Sequence, residues 1–212
     1  ALFSVMAAIS KVIGARATTF EKVFWRSLVC SASILCSQAY GRAPGPKSWW
    51  PKNPGVVLLR GVCGHLAILL YLESVGLLPL GVAVFLGMIY PLAAAIFAWL
   101  FLGERLRPSR LAALLVSLGG VALIARPAPG DVASSTLLGV ALALGSGVFI
   151  GGALCCARAL AEAGEGDMWL LLSLPLVSLP CAAPSAFQDG LRSEGRGQDV
   201  WWLFLALGVA SQ

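Results

Sequence analysis

Residues 74–103 read SVGLLPLGVAVFLGMIYPLAAAIFAWLFLG, thirty positions without a charge, interrupted only by Pro79 and Pro91. Roughly 20 apolar residues already cross the hydrocarbon core of a bilayer, and a soluble domain of this size has no use for a longer run. Val132 to Ala157 and Met168 to Gln188 also lack Asp, Glu, Lys and Arg. Working outward from these three stretches, spans are expected at 1–13, 23–40, 56–75, 79–102, 109–125, 136–157, 169–187 and 201–212. Each must be helical, because lipid offers no partner to an exposed backbone amide. The first and last spans reach only about 20 Å and about 18 Å at the helical rise, short of the core thickness. Both are expected to be cut, and an N-terminal segment is expected to be missing ahead of Ala1. No basic region precedes the first apolar stretch, so no signal peptide is read.

Composition agrees. Hydrophobic residues make up 58% of the chain and charged residues 12%, against about 25% charged in an ordinary soluble domain. The excess of fifteen Lys and Arg over ten acids lies between the apolar blocks, where membrane proteins keep loop charge. Nucleic acid is therefore not an expected partner. Six cysteines, at 30, 36, 63, 155, 156 and 181, fall in or beside apolar segments without a C-x-x-C pair. With His65 the only histidine, no metal cage is expected, and the cysteines read as small apolar helix residues. Trp49-Trp50 and Trp201-Trp202 sit just ahead of two spans, where an indole favours the headgroup region.

Sliding residues 1–65 by 147 positions onto 148–212 superposes the apolar blocks without a gap. Identity under this shift is no better than chance, so hydropathy carries the match. Leu58-Leu59-Arg60-Gly61-Val62 falls on Leu205-Ala206-Leu207-Gly208-Val209. The unit would hold five helices, and an odd number inverts the second copy, a design common in secondary transporters. Loop charge is nearly balanced between the two sides and does not orient the chain.

Three segments carry a family resemblance: Gly87-Met88-Ile89-Tyr90-Pro91-Leu92, Phe101-Leu102-Gly103-Glu104-Arg105-Leu106, and Gly119-Gly120-Val121-Ala122-Leu123-Ile124. In this order and spacing they resemble the EamA type of the drug/metabolite transporter superfamily. Phe24-Trp25-Arg26 resembles the aromatic-arginine opening of that family's second helix, and Leu59-Arg60-Gly61 the start of its third. Ala112-Ala113 departs from a glycine often found early in the fifth helix. The resemblance implies an all-α integral membrane bundle of two inverted five-helix repeats. The first would cover 1–127 and an incomplete second 136–212, about eight of ten helices in all, the first and last partial.

Ionisable residues inside spans cost several kcal/mol at the bilayer centre and are functional candidates by default. Arg26 and Arg60 lie near helix starts and can snorkel to headgroups or attract an anionic substrate group. His65 lies nearest the midplane. It either faces a cavity, takes up a proton, or bonds a neighbouring backbone carbonyl. Glu73 follows on the same helix about 12 Å on and about 80° around, nearer water. Tyr71 projects within about 20° of Arg60. Tyr90 precedes Pro91, which leaves the Gly87 carbonyl without its amide partner and bends the helix, for a gate or for packing. Pro175, Pro180 and Pro184 are expected to break the seventh span likewise.

Candidate substrate-binding residues are therefore His65, Tyr90, Arg60, Arg26, Tyr71 and Glu73, with Pro91 and Gly87 for gating or a kink. In the repeat register Arg26 becomes Ser173, Arg60 becomes Leu207 and His65 becomes Gln212, so the first half would supply charge and the second a neutral wall. No span joins Ser to His, pairs two Asp or carries H-E-x-x-H, so no catalytic residue and no enzyme is expected. The leading expectation is a multi-pass secondary transporter of a small metabolite working by alternating access, without a cofactor. The rival is a non-transporting scaffold or a half-transporter that needs a partner. Expected partners are the lipid bilayer and a small-molecule substrate, with a homodimer left open.

Overall fold

The computed structural model describes residues 19–39, 50–104, 108–125 and 134–192. The expected spans 1–13 and 201–212, the Trp201-Trp202 pair and the counterparts of Arg60 and His65 lie outside these residues. Every regular element among the described residues is helical: α1 (Thr19–Ala39), α2 (Pro54–Leu77), α3 (Leu80–Gly87), α4 (Tyr90–Leu102), α5 (Pro108–Ala125), α6 (Ser134–Glu162) and α7 (Asp167–Arg192). Among the described residues, four stretches are long and apolar enough to cross a membrane: Pro54–Leu77, Leu80–Leu102, Leu137–Glu162 and Asp167–Pro184.

The polarity of the bundle is that of a protein solvated by lipid. Among the largest fully buried side chains are Ser27, Ser74, Ser146, Ser173 and Ser178, while Phe101, Val116 and Leu137 are at least 70% exposed. Lipid tails are as apolar as leucine, so large side chains gain little by turning inward and small residues occupy the contacts. Two of these hydroxyls are satisfied within their own helices, Ser74 Oγ donating to the Tyr71 carbonyl at 2.7 Å and Ser146 Oγ to that of Ala143 at 2.7 Å.

One expected span, 79–102, is two helices. The ladder changes at Met88-Ile89: the Met88 amide donates to Val84 and Phe85 at 3.1 and 3.0 Å, and the Ala93 amide to Ile89 at 3.2 Å. Pro91 supplies no amide for the Gly87 carbonyl between them. Helix α6 accepts this break through Gly147 and Gly151. A Cβ on Gly151 would lie 2.6 Å from Ala93 Cβ and 2.7 Å from the Ala94 nitrogen, so only glycine permits this approach.

Helix α7 corrects another expectation. It runs unbroken from Asp167 to Arg192 with Pro175, Pro180 and Pro184 inside it. Each proline removes one hydrogen bond, but α7 packs against both α1 and α2, and Pro175 is fully buried. Neighbouring helices hold the segment where its own ladder is thinned.

The helix directions follow from contacts. Arg60 meets Ser173 and His65 meets Ser178 at the same sequence separation of 113, so α2 and α7 run parallel. Val23, Leu72 and Ala182 share one small core, which joins the start of α1 to the end of α2 and the later part of α7. Helix α1 is thus antiparallel to both.

Candidate functional site

A cavity of about 200 Å³ lies between α1, α2, α6 and α7. Arg26 enters it from the second turn of α1. Arg60 and Tyr71 enter it from α2, about 16 Å apart along the axis at 1.5 Å per residue. Ile150 and Leu154 of α6 and Leu174 of α7 close the other walls. Among the described lining residues, all the charge comes from the first half of the chain, and none is Asp or Glu.

The two arginines differ in how they are held. Arg60 Nη1 donates to the Leu170 carbonyl and to Ser173 Oγ, which fastens α2 to α7. This is possible because the neighbouring Gly61 lets the backbones touch: a Cβ there would run into the Ser173 carbonyl and approach Val177 Cγ2 to 2.6 Å. Arg26 has no such anchor. Its Nε and Nη1, and Nε of Arg60, are buried without a hydrogen-bond partner among the described residues. A guanidinium does not shed its proton in a protein, so these are buried cationic donors beside apolar walls.

Tyr71 is 2% exposed and couples the cavity to the helix break. Its ring carbon Cε2 would lie 3.7 Å from a Cβ on Gly87. Gly87 itself is buried and Pro91 half-buried; neither lines the cavity.

The remaining candidates lie elsewhere. His65 is buried, with Nδ1 3.0 Å from Ser178 Oγ. Its partner is a hydroxyl of a neighbouring helix, and it is absent from the cavity lining. Tyr90 is half-buried, and Glu73 is exposed, near enough to the buried Lys22 to attract its ammonium. The structure thus brings Arg26, Arg60 and Tyr71 together and leaves His65, Tyr90 and Glu73 apart. No group of three or more His, Cys, Asp or Glu that could hold a metal ion occurs among the described residues.

Sequence reading missed the polar closure at one end of the bundle. Two helices finish in a left-handed glycine followed by a glutamate: Gly103 (φ 68°) before Glu104, and Gly164 (φ 69°) before Glu165. Each carboxylate reaches the other half of the chain. Glu165 Oε1 accepts from the Asn53 amide at 2.8 Å, ahead of α2. Glu104 faces Arg158 of α6 at 3.5 Å. Lys52 Nζ adds a bond to the Ala163 carbonyl at 3.4 Å. The repeated Gly-Glu pair was the available signal. At the opposite end the contact is apolar, with Leu78 Cγ 2.8 Å from where a Cβ on Gly139 would lie.

Residues 1–126 match the EamA-like transporter family. Over 212 residues the chain is 29% identical to the pseudopaline exporter CntI of Pseudomonas aeruginosa strain UCBPP-PA14, covering 99% of this chain and 70% of that protein. An uncharacterized transporter of Helicobacter pylori strain J99 is 26% identical over 212 residues, covering 98% and 70%. A solved crystal structure matches with a TM-score of 0.68 at 21% identity, over 98% of this chain and 70% of the other. At that identity the likeness speaks to the fold.

Proposed function

The chain belongs to the EamA-like transporter family, and from that premise we propose that it moves a small metabolite across the membrane by alternating access between two inverted repeats. The observation that carries this reading is the cavity in which Arg26, Arg60 and Tyr71 converge between helices of the two halves. Transporters place their sites at the interface of such repeats.

Two features support the inversion. Shifting α1 by 147 positions puts it at 166–186, against Asp167–Arg192 for α7. The two run in opposite directions, as inverted copies must. Among the described residues the polar closure through Glu165, Lys52 and Glu104 links the halves at one end, which suits a state sealed on that side. Alternating access requires these bonds to break as the apolar contact at Gly139 tightens. Outward movement is favoured by the exporter among the relatives.

The test is solute flux. The full chain, reconstituted in vesicles and loaded with a pool of labelled small metabolites, should release at least one faster than empty vesicles do. Release should fall when Glu165 is crosslinked to residue 53 through paired cysteines. Flux equal to that of empty vesicles for every class tried, from a folded preparation, would favour the scaffold reading instead.

A further inference from the structure

We propose that the cavity is a binding site for an organic anion with one carboxylate head and a short aliphatic body. The proposal deepens the transporter reading and rests on it only for the ligand's passage across the membrane.

The head group follows from the donors. Arg60 is partly committed through Nη1 to Leu170 and Ser173, whereas two nitrogens of Arg26 and one of Arg60 remain buried without partners among the described residues. A buried cation without a counter-charge carries an uncompensated desolvation cost, and among the described residues no carboxylate lines the cavity to offset it. An incoming carboxylate supplies both the negative charge and planar acceptors that match a guanidinium. Tyr71, at the far end of the lining from Arg60, adds a phenol to the same wall.

The body follows from the rest of the surface. Ile68, Ile150, Leu154 and Leu174 offer no polar side-chain atom, and among the described lining residues only Arg26, Arg60 and Tyr71 do. A polyanion or a sugar would give up water against these walls without replacement, while an aliphatic segment gains by contact. The volume of about 200 Å³ lies below the ~300–1,000 Å³ of sites for drug-sized ligands, so the body is short.

Hexanoate and its neutral counterpart hexanamide, nearly equal in shape, are the probes. Calorimetric titration of the full chain in phosphatidylcholine nanodiscs should give hexanoate roughly tenfold to a hundredfold tighter than hexanamide, the range of one or two charge-assisted hydrogen bonds. Arg26→Gln should erase that preference and Arg26→Lys keep part of it. Equal binding of acid and amide by the unaltered protein overturns the proposal, and so does an undiminished preference in a folded Arg26→Gln protein. Should Arg26→Gln not fold, the acid-to-amide ratio of the unaltered protein and of Arg26→Lys still decides.

A singly charged anionic head, there a phosphodiester, is also available from lipid. If exchanging half the phosphatidylcholine for phosphatidylglycerol weakens hexanoate binding, the anion site stands and its occupant is a lipid headgroup. Unchanged binding assigns the site to a soluble anion. Hexanoate that binds but does not cross a vesicle wall would leave the site standing and count against transport. Flux of a neutral metabolite with no anion preference would do the reverse.

Discussion

His65 and Arg26 are both ionisable side chains inside a helical bundle in lipid, and they stand in opposite relations to it. His65, the deeper of the two by sequence, is buried against Ser178 on a neighbouring helix. Arg26, one or two turns from a helix start, holds buried donors without a partner and lines a cavity. Depth is therefore a poor guide to function here. What separates the two regions is whether the fold itself answers the polar group. Where it does, as at the α2–α7 crossing, the group helps to fasten helices together. Where it does not, at the cavity, an outside ligand can.

Four experiments bear on that contrast, and the largest effect is expected at the crossing. Gly61→Val drives a side chain into the Ser173 carbonyl and Val177. Overpacking of this kind typically costs about 1–3 kcal/mol, and with Arg60 pushed off its anchors a low folded yield on size exclusion should follow. Arg26→Met should act the other way round. Flux of the transported solute should fall at least about tenfold, the weight of a charge-assisted hydrogen bond, while the midpoint of thermal unfolding stays level or rises, since no native partner is lost. A drop in Tm as large as that of Gly61→Val would break the comparison.

His65→Leu should lower stability by about 1–2 kcal/mol, one buried hydrogen bond and its orphaned hydroxyl, with flux within about twofold. A double-mutant cycle with Ser178→Ala should return about 1 kcal/mol of coupling. Loss of flux out of proportion to stability would move His65 into the site. Glu104→Gln is expected to be the mildest. Its pairing with Arg158 leaves the side chains 42% and 55% exposed, and exposed pairs contribute about 0–1 kcal/mol, so only the salt dependence of Tm should shift measurably.

The cavity was only half legible in the sequence. Arg26 and Arg60 could be singled out because a charge inside an apolar span is costly, though snorkelling to the headgroups accounted for them equally well, and Tyr71 because it shares a helical face with Arg60. Their separation from His65 could not be seen, because helical periodicity gives a residue's direction and not what stands opposite. Pro91 announced a break that the backbone shows at Met88-Ile89. The same reasoning failed for α7, where packing against α1 and α2 keeps three prolines within one helix. Glu165 carried no mark beyond the Gly-Glu pair it shares with Glu104.

Residence in lipid, an all-helical architecture and the kinship with a transporter family were set by the sequence alone, because each depends on local composition or short motifs. The tertiary structure decided which polar groups are satisfied. The contacts that do so join Asn53 to Glu165, Arg60 to Ser173 and His65 to Ser178 across separations of 112 or 113 residues. In lipid the outer face of a helix is as apolar as the inner one, so no hydropathy pattern tells which side meets a neighbour. Only the packed helices reveal that the neighbour opposite His65 is a serine and that Arg26 lines a cavity, its buried donors without a partner among the described residues.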